Sequence, residues 1–245
     1  MTVPIDADDD ADRAHQHYEP HHRDVSGGWL RPSVFGAMDG LVTNVSLIAG
    51  VGGGGVAHHT VVLSGLAGLV AGAFSMATGE YTSVQSQNEL VGAEVAVERK
   101  SLKENPDEER RELALSLARR GVDRELADAV AHQISANPEG ALQFHAQEEL
   151  GVDPDALPSP VAAAALSFAS FASGALVPLV PFLAGLNLLW VSMLATAVAL
   201  AATGAAVGRL TGRPMPVAAV RQVLLAVLSA GVTYGVGRLI GASVS

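Results

Sequence analysis

Five runs of apolar residues, at about 34–51, 60–82, 161–183, 186–207 and 217–240, constrain this chain more than any other feature. Each is close to the roughly 20 residues a helix needs to cross the hydrocarbon core of a bilayer. Lipid offers no partner to a free backbone group, so runs of this length and spacing are expected to be helical. The expected fold is therefore all-α, a multi-pass membrane protein with five transmembrane helices. Composition agrees: 49% of residues are apolar and 16% charged, and the mean hydropathy is +0.31, well away from an ordinary soluble domain. There is no cysteine, which excludes disulfides and thiolate ligands, so a bound metal would rest on oxygen, nitrogen or thioether sulfur.

Residues 1–30 carry Asp6, Asp8, Asp9, Asp10 and Asp12, then His15, His17, His21 and His22. They lack the apolar centre of a secretory signal and read as a disordered, solvated tail that remains on the chain. Arg13, Arg23 and Arg31 precede the first run, eight Lys and Arg fall between the second and third, and Arg209, Arg213 and Arg221 surround the fourth connection. The connections at 52–59 and 184–185 carry none. By the positive-inside rule the N-terminus, the long insert and the fourth connection face the cytoplasm and the C-terminus lies on the far side. The expected division is a tail at 1–30, two transmembrane helices in 31–85, a cytoplasmic insert at 86–159 and three transmembrane helices in 160–245. A net charge of −10 accompanies no basic stripe, and nucleic acid is not expected as a partner.

The insert holds 16 acidic and 8 basic residues. Asn105 and Pro106 followed by Asp107 and Glu108 open a helix that Gly121 closes, and 123–136 and 138–150 read as two more, giving a three-helix module. Glu94 and Glu98 are one turn apart, Glu109 and Glu112 share a face, and Glu148 and Glu149 close the last helix. That spacing suits either a solvated acidic face or a metal site.

Two carboxylates fall within the apolar runs. Entering from the cytoplasm, the first helix reaches Asp39 after about two turns, and the second reaches Glu80 about one turn before it leaves the bilayer. Both are thus expected in the inner half of the membrane, where an ionisable residue marks an ion or proton pathway. Met76 lies one turn deeper than Glu80 on a neighbouring part of its face. Two carboxylates and a thioether suit Fe(II) or Mn(II) better than Ca(II), which takes more oxygens. Ser64, Gly68 and Gly72 lead into Met76 at four-residue spacing, a stripe that permits close helix approach within or between subunits.

The segments 31–44 (RPSVFGAMDGLVTN), 65–81 (GLAGLVAGAFSMATGEY) and 83–87 (SVQSQ), with Glu148 to Gly151 and the later 233–238 (TYGVGR), resemble the vacuolar iron transporter family. The resemblance runs from about residue 31 to the C-terminus. It implies a homodimeric, proton-coupled exporter of Fe(II) and related divalent metals such as Mn(II). It also implies Asp39, Met76 and Glu80 as translocation ligands, and Glu98, Glu109, Glu112 and Glu149, with Glu94 and Glu148, as ligands of the insert. The family's insert can use methionines beside the final Glu pair, whereas this chain has Phe144, His145 and Ala146 there.

The expected function is export of Fe(II), with Mn(II) and Zn(II) as further candidates, out of the cytosol across a lipid bilayer, with proton exchange at Asp39 and Glu80 and no resident cofactor. A bacterial plasma membrane is the expected location. A di-iron ferroxidase is the main alternative, but Glu-x-x-His pairs are usual in such bundles, whereas His145 and Glu148 stand in the reverse order and His132 has no Glu three residues before it. A non-transporting metal sensor would leave Asp39 and Glu80 without a role.

Overall fold

The computed structural model describes residues 30–244, so the acidic, His-bearing tail lies outside the described residues. They form α1 (Leu30–Gly53), α2 (His58–Glu104), α3 (Pro106–Arg119), α4 (Arg124–Ser135), α5 (Pro138–His145), a π-helical turn (Ala146–Leu150), α6 (Pro160–Leu183), α7 (Leu189–Leu210) and α8 (Met215–Val244). Five of these, α1, α2, α6, α7 and α8, are long and apolar enough to cross a membrane, as the sequence predicts. Exposed Leu176, Val180, Leu194, Val198, Val227 and Leu228 face outward from them, an arrangement that lipid tolerates and water does not.

The first span is the hub. α1 packs against all four other spans and is the most buried of the five, while α8 is the least. Small residues make these approaches possible. A Cβ at Gly40 would overlap the Phe171 carbonyl, one at Gly174 the Ala37 carbonyl, and one at Gly237 the Gly50 carbonyl. Pro178 and Pro181 each remove a donor from the ladder of α6. In this stretch side chains donate to backbone carbonyls: Asn44 Nδ2 to Ala175 O at 2.5 Å and Ser192 Oγ to Pro178 O at 2.6 Å.

The small-residue stripe on α2 is used inside the subunit. Gly65 faces Leu179 and Ile48, Gly68 faces Leu47 and Asn44, and Gly72 faces the Phe171 ring, so this face is filled by α1 and α6 and is not free for a second copy.

α2 continues well beyond the bilayer-length run that ends near Thr82. Its 47 residues extend about 70 Å at 1.5 Å per residue. The expected boundary at 85/86 falls within this uninterrupted helix, because good helix formers continue until Pro106. The three shorter helices stack on the projecting end. Pro106 and Pro138 occupy first-turn positions, and Asp123 and Asn137 cap their helices by accepting from Glu125 N at 3.0 Å and Gly140 N at 3.3 Å. Val91 and Val95 of α2 pack with Leu142 and Ala146, while Leu113, Ala114 and Ala131 form a second small core.

Candidate metal sites

Four separate elements bring ligands to one point in the insert. Glu98 comes from the projecting part of α2, Glu109 from the first turn of α3, His145 from the end of α5 and Glu149 from the π turn. One ligand atom from each lies within 4.8 Å of all the others. His145 Nδ1 is 3.1 Å from Glu149 Oε1, 3.2 Å from Glu98 Oε1 and 3.9 Å from Glu109 Oε2. Its side chain is 2% exposed, against 15% for Glu98, 12% for Glu109 and 40% for Glu149, so the site is a cleft open on the Glu149 side.

Local chemistry explains the convergence. Acidic residues in the first turn of α3 are favoured by its N-terminal dipole, and Ser101 Oγ donates to Glu109 Oε1 at 2.5 Å, fixing one oxygen. The π turn ends at Gly151, whose φ of 65° lets the chain leave the helix.

The carboxylates lack basic partners. Arg99 pairs with Glu139, Lys100 with Glu104, Arg110 with Asp107 and Arg120 with Glu148. Among the described residues no Lys or Arg pairs with Glu98, Glu109 or Glu149. Burial, followed by the charge of Glu149, raises the Glu98 carboxyl above its usual range, while His145 acts in the opposite sense. Glu98 Oε1 and His145 Nε2 are buried without a hydrogen bond. The contact from Nδ1 to Glu98 is thus one of charge proximity, and only the contact to Glu149 has hydrogen-bond geometry. Two half-buried carboxylates, a third exposed at the mouth and one buried imidazole, with no basic counter-charge among the described residues, could hold a borderline divalent cation.

The other insert residues separate. Glu148 accepts from Ser116 Oγ at 2.7 Å and pairs with Arg120, turning it away from the cluster. Glu94 and Glu112 are exposed. Glu112 stays close enough to raise the Glu98 pKa, and it lines an adjoining cleft of about 410 Å³ with His145, Glu148 and Glu149.

The three membrane residues have different surroundings. Asp39 is exposed on α1, with Thr43 Oγ1 donating to its Oδ1 at 3.2 Å. Met76 is half-buried against the cluster of Ala73, Phe171 and Ala175. Glu80 is half-buried on the wall of a cavity of about 520 Å³ between α2 and the segment that returns from the insert.

The VIT family model matches residues 30–238, taking in the five spans, the insert and both sets of acidic residues. The chain belongs to the VIT family. A vacuolar iron transporter from Acanthamoeba castellanii is 38% identical over 224 residues, covering 89% of this chain and 82% of that protein. Vacuolar iron transporter 1 of Oryza sativa is 30% identical over 243 residues, covering 97% and 95%. Vacuolar iron transporter homolog 1 of the same plant is 35% identical over 218 residues, covering 87% and 74%. These are names of transporters and not of enzymes.

In this VIT-family protein the cluster includes His145, which is not among the ligand candidates the sequence offers. The sequence sets His145 beside Glu148, three residues on, whereas in the structure it contacts Glu149, four residues on. The readable signal is the His-x-x-x-Glu spacing, which places both groups on one side of consecutive turns.

Proposed function

We propose that this protein exports Fe(II), and with it Mn(II), from the cytosol in exchange for protons. The observation that supports this reading most is the convergence of Glu98, Glu109, Glu149 and buried His145 without a Lys or Arg partner, in a family whose relatives are named iron transporters. The insert, on the cytosolic side, captures the ion. Asp39, Met76 and Glu80 carry it through the bilayer, and proton exchange at the two carboxylates promotes its release on the far side. Zn(II) is a further cargo that carboxylate and imidazole ligands would accept.

A homodimer accounts for Asp39. An exposed carboxylate on a spanning helix would meet hydrocarbon, which is costly, whereas a second copy would cover it and supply partners. Transport out of the cytosol has the same sense across a bacterial plasma membrane, where we place this chain, as across the vacuolar membrane in the relatives' names.

Uptake into inside-out vesicles, with a panel of divalent ions and with or without a pH gradient, tests the reading. Fe(II) and Mn(II) uptake should depend on the gradient, and iron oxidation followed in the same sample should stay at the level of empty vesicles. Gradient-independent uptake would remove proton coupling, and absence of uptake would remove transport.

A further inference from the structure

Glu80 and Glu98 are 18 residues apart on one unbroken helix, a separation of about 27 Å along the axis. Val91, Val95, Leu142 and Ala146 form an apolar cluster between them, with Val152 and Leu157 packed against it. The direct line along α2 from the insert to Glu80 therefore meets an apolar cluster.

A cavity beside Glu80 flanks that cluster. Residues 80, 83, 84, 87, 88 and 91 recur at steps of three and four, so they lie on one face of α2, and all of them line the cavity. The polar ones are Glu80, Ser83, Gln87 and Asn88, which offer a carboxylate, a hydroxyl and two amide oxygens. Among the described side chains no Lys or Arg lines the cavity, and Glu80 is its one charged group, so that lining favours a cation. The opposite wall is the return segment, including Val152, Leu157, Pro158 and Ser159.

Asn88 lies at the junction of the two walls. Its Nδ2 donates to Pro158 O at 2.9 Å, and because only the NH₂ end can donate to a carbonyl, that bond fixes which end is oxygen. The remaining atom, Oδ1, is buried with no donor. A buried amide oxygen left unsatisfied is costly unless a water or a cation occupies the space before it.

We propose that this cavity is an antechamber in which a partly hydrated divalent cation is held by the Asn88 amide oxygen, with Ser83 and Gln87, before it passes to the Glu80 carboxylate. Hard oxygen ligands of mixed charge suit a hydrated Mn(II) or Fe(II) ion that must bind and leave again. The proposal rests on the transport reading, but its first test does not use transport.

The described chain contains no cysteine, and neither does the full sequence, so Ala163→Cys, on the cavity wall facing α2 and away from the proposed ligands, introduces a unique thiol in the full-length protein. Its rate of modification by a charged methanethiosulfonate reagent is measured in detergent with and without Mn(II). With Mn(II) at about ten times its dissociation constant, occupancy should slow labelling about tenfold. Protection should vanish when Glu80→Gln is added and survive when Glu149→Gln is added. Equal labelling with and without Mn(II), or protection lost with Glu149→Gln and kept with Glu80→Gln, would overturn the antechamber.

A second pair of variants separates ligand from tether and is read by Mn(II) flux in vesicles. Asn88→Leu and Asn88→Asp both lose the donor to Pro158, but Asp keeps an oxygen. Flux should fall about tenfold in Asn88→Leu and stay within about threefold of the native protein in Asn88→Asp, the scale seen when a metal-orienting group is lost. Equal impairment would reduce Asn88 to a tether and overturn its role as a ligand. Absence of flux in the native protein would instead sink the transport reading and leave the labelling result to decide the antechamber.

Discussion

His145 Nδ1 and Glu149 Oε1 stand 3.1 Å apart, one turn from each other where α5 passes into the π turn. The imidazole is buried and the carboxylate is half-exposed, so the pair spans the cleft from floor to mouth. Glu98 and Glu109 close on the same ring nitrogen from α2 and α3, making His145 the point at which separate elements of the insert meet.

Metal binding by the full-length protein in detergent should depend on four residues and not on their acidic neighbours. Loss of a group that merely orients a ligand costs about 10–100-fold in affinity, so Glu98→Gln, Glu109→Gln, Glu149→Gln and His145→Leu should each cost at least that for Mn(II) by calorimetry. Glu94→Gln and Glu148→Gln should change it little. A Glu148 effect as large as that of Glu149 would contradict the cluster.

The raised Glu98 pKa gives a signed pH dependence. The folded state holds this proton more tightly than the unfolded chain, whose ordinary value is 4.5. The stability it contributes is therefore complete below 4.5 and is lost as pH rises through the higher folded value. Glu98→Gln should remove this component from the metal-free thermal midpoint measured in chelator between about pH 4 and pH 7. Mn(II) affinity should move the other way and rise with pH, because the metal needs the ionised carboxylate.

Close backbone approach makes some glycines irreplaceable and leaves others free. Gly174→Ala and Gly40→Ala place a methyl group on a carbonyl of the neighbouring span, and Gly72→Leu drives into Phe171. Overpacking of this kind costs about 1–3 kcal/mol, which should lower the thermal midpoint in detergent. Gly231→Ala, with nothing within 4 Å of the added carbon, should leave it nearly unchanged. Equal midpoints for Gly174→Ala and Gly231→Ala would mean that α1 and α6 are not packed this closely.

Charge removal in the spans should separate transport from capture. Asp39→Asn and Glu80→Gln keep size and hydrogen bonding, so the insert should bind Mn(II) as before while pH-driven Fe(II) flux falls to near the level of empty vesicles. Met76→Leu, nearly constant in volume, should be milder. Native flux in both carboxylate variants would return Asp39 and Glu80 to a structural role.

The spans and the helices of the insert were legible because each depends on local information. Apolar run length marks a membrane helix. Pro106, Asp123, Asn137 and Gly151 act within a turn of themselves as helix starts and stops, and a periodic face can be counted along the chain. By the same logic Glu98, Glu109 and Glu149 were readable as candidates from spacing and family motif.

Which candidates act together was a question of tertiary structure. Glu148 and Glu149 are adjacent in sequence, yet one turns to Arg120 and the other to His145, because α3 brings a base to one side while α2 and α5 bring buried ligands to the other. The glycine stripe of α2 reads the same whether it serves a subunit interface or an internal contact, and only the positions of Leu47 and Phe171 assign it to the interior. The continuation of α2 to Glu104 follows from helix formers that run up to Pro106, but the change in hydropathy where the helix leaves the bilayer masks it in the sequence, since backbone hydrogen bonding does not change there. Sequence determines each helix and the chemistry it carries, whereas convergence depends on side chains separated by many residues and on packing that no local period records.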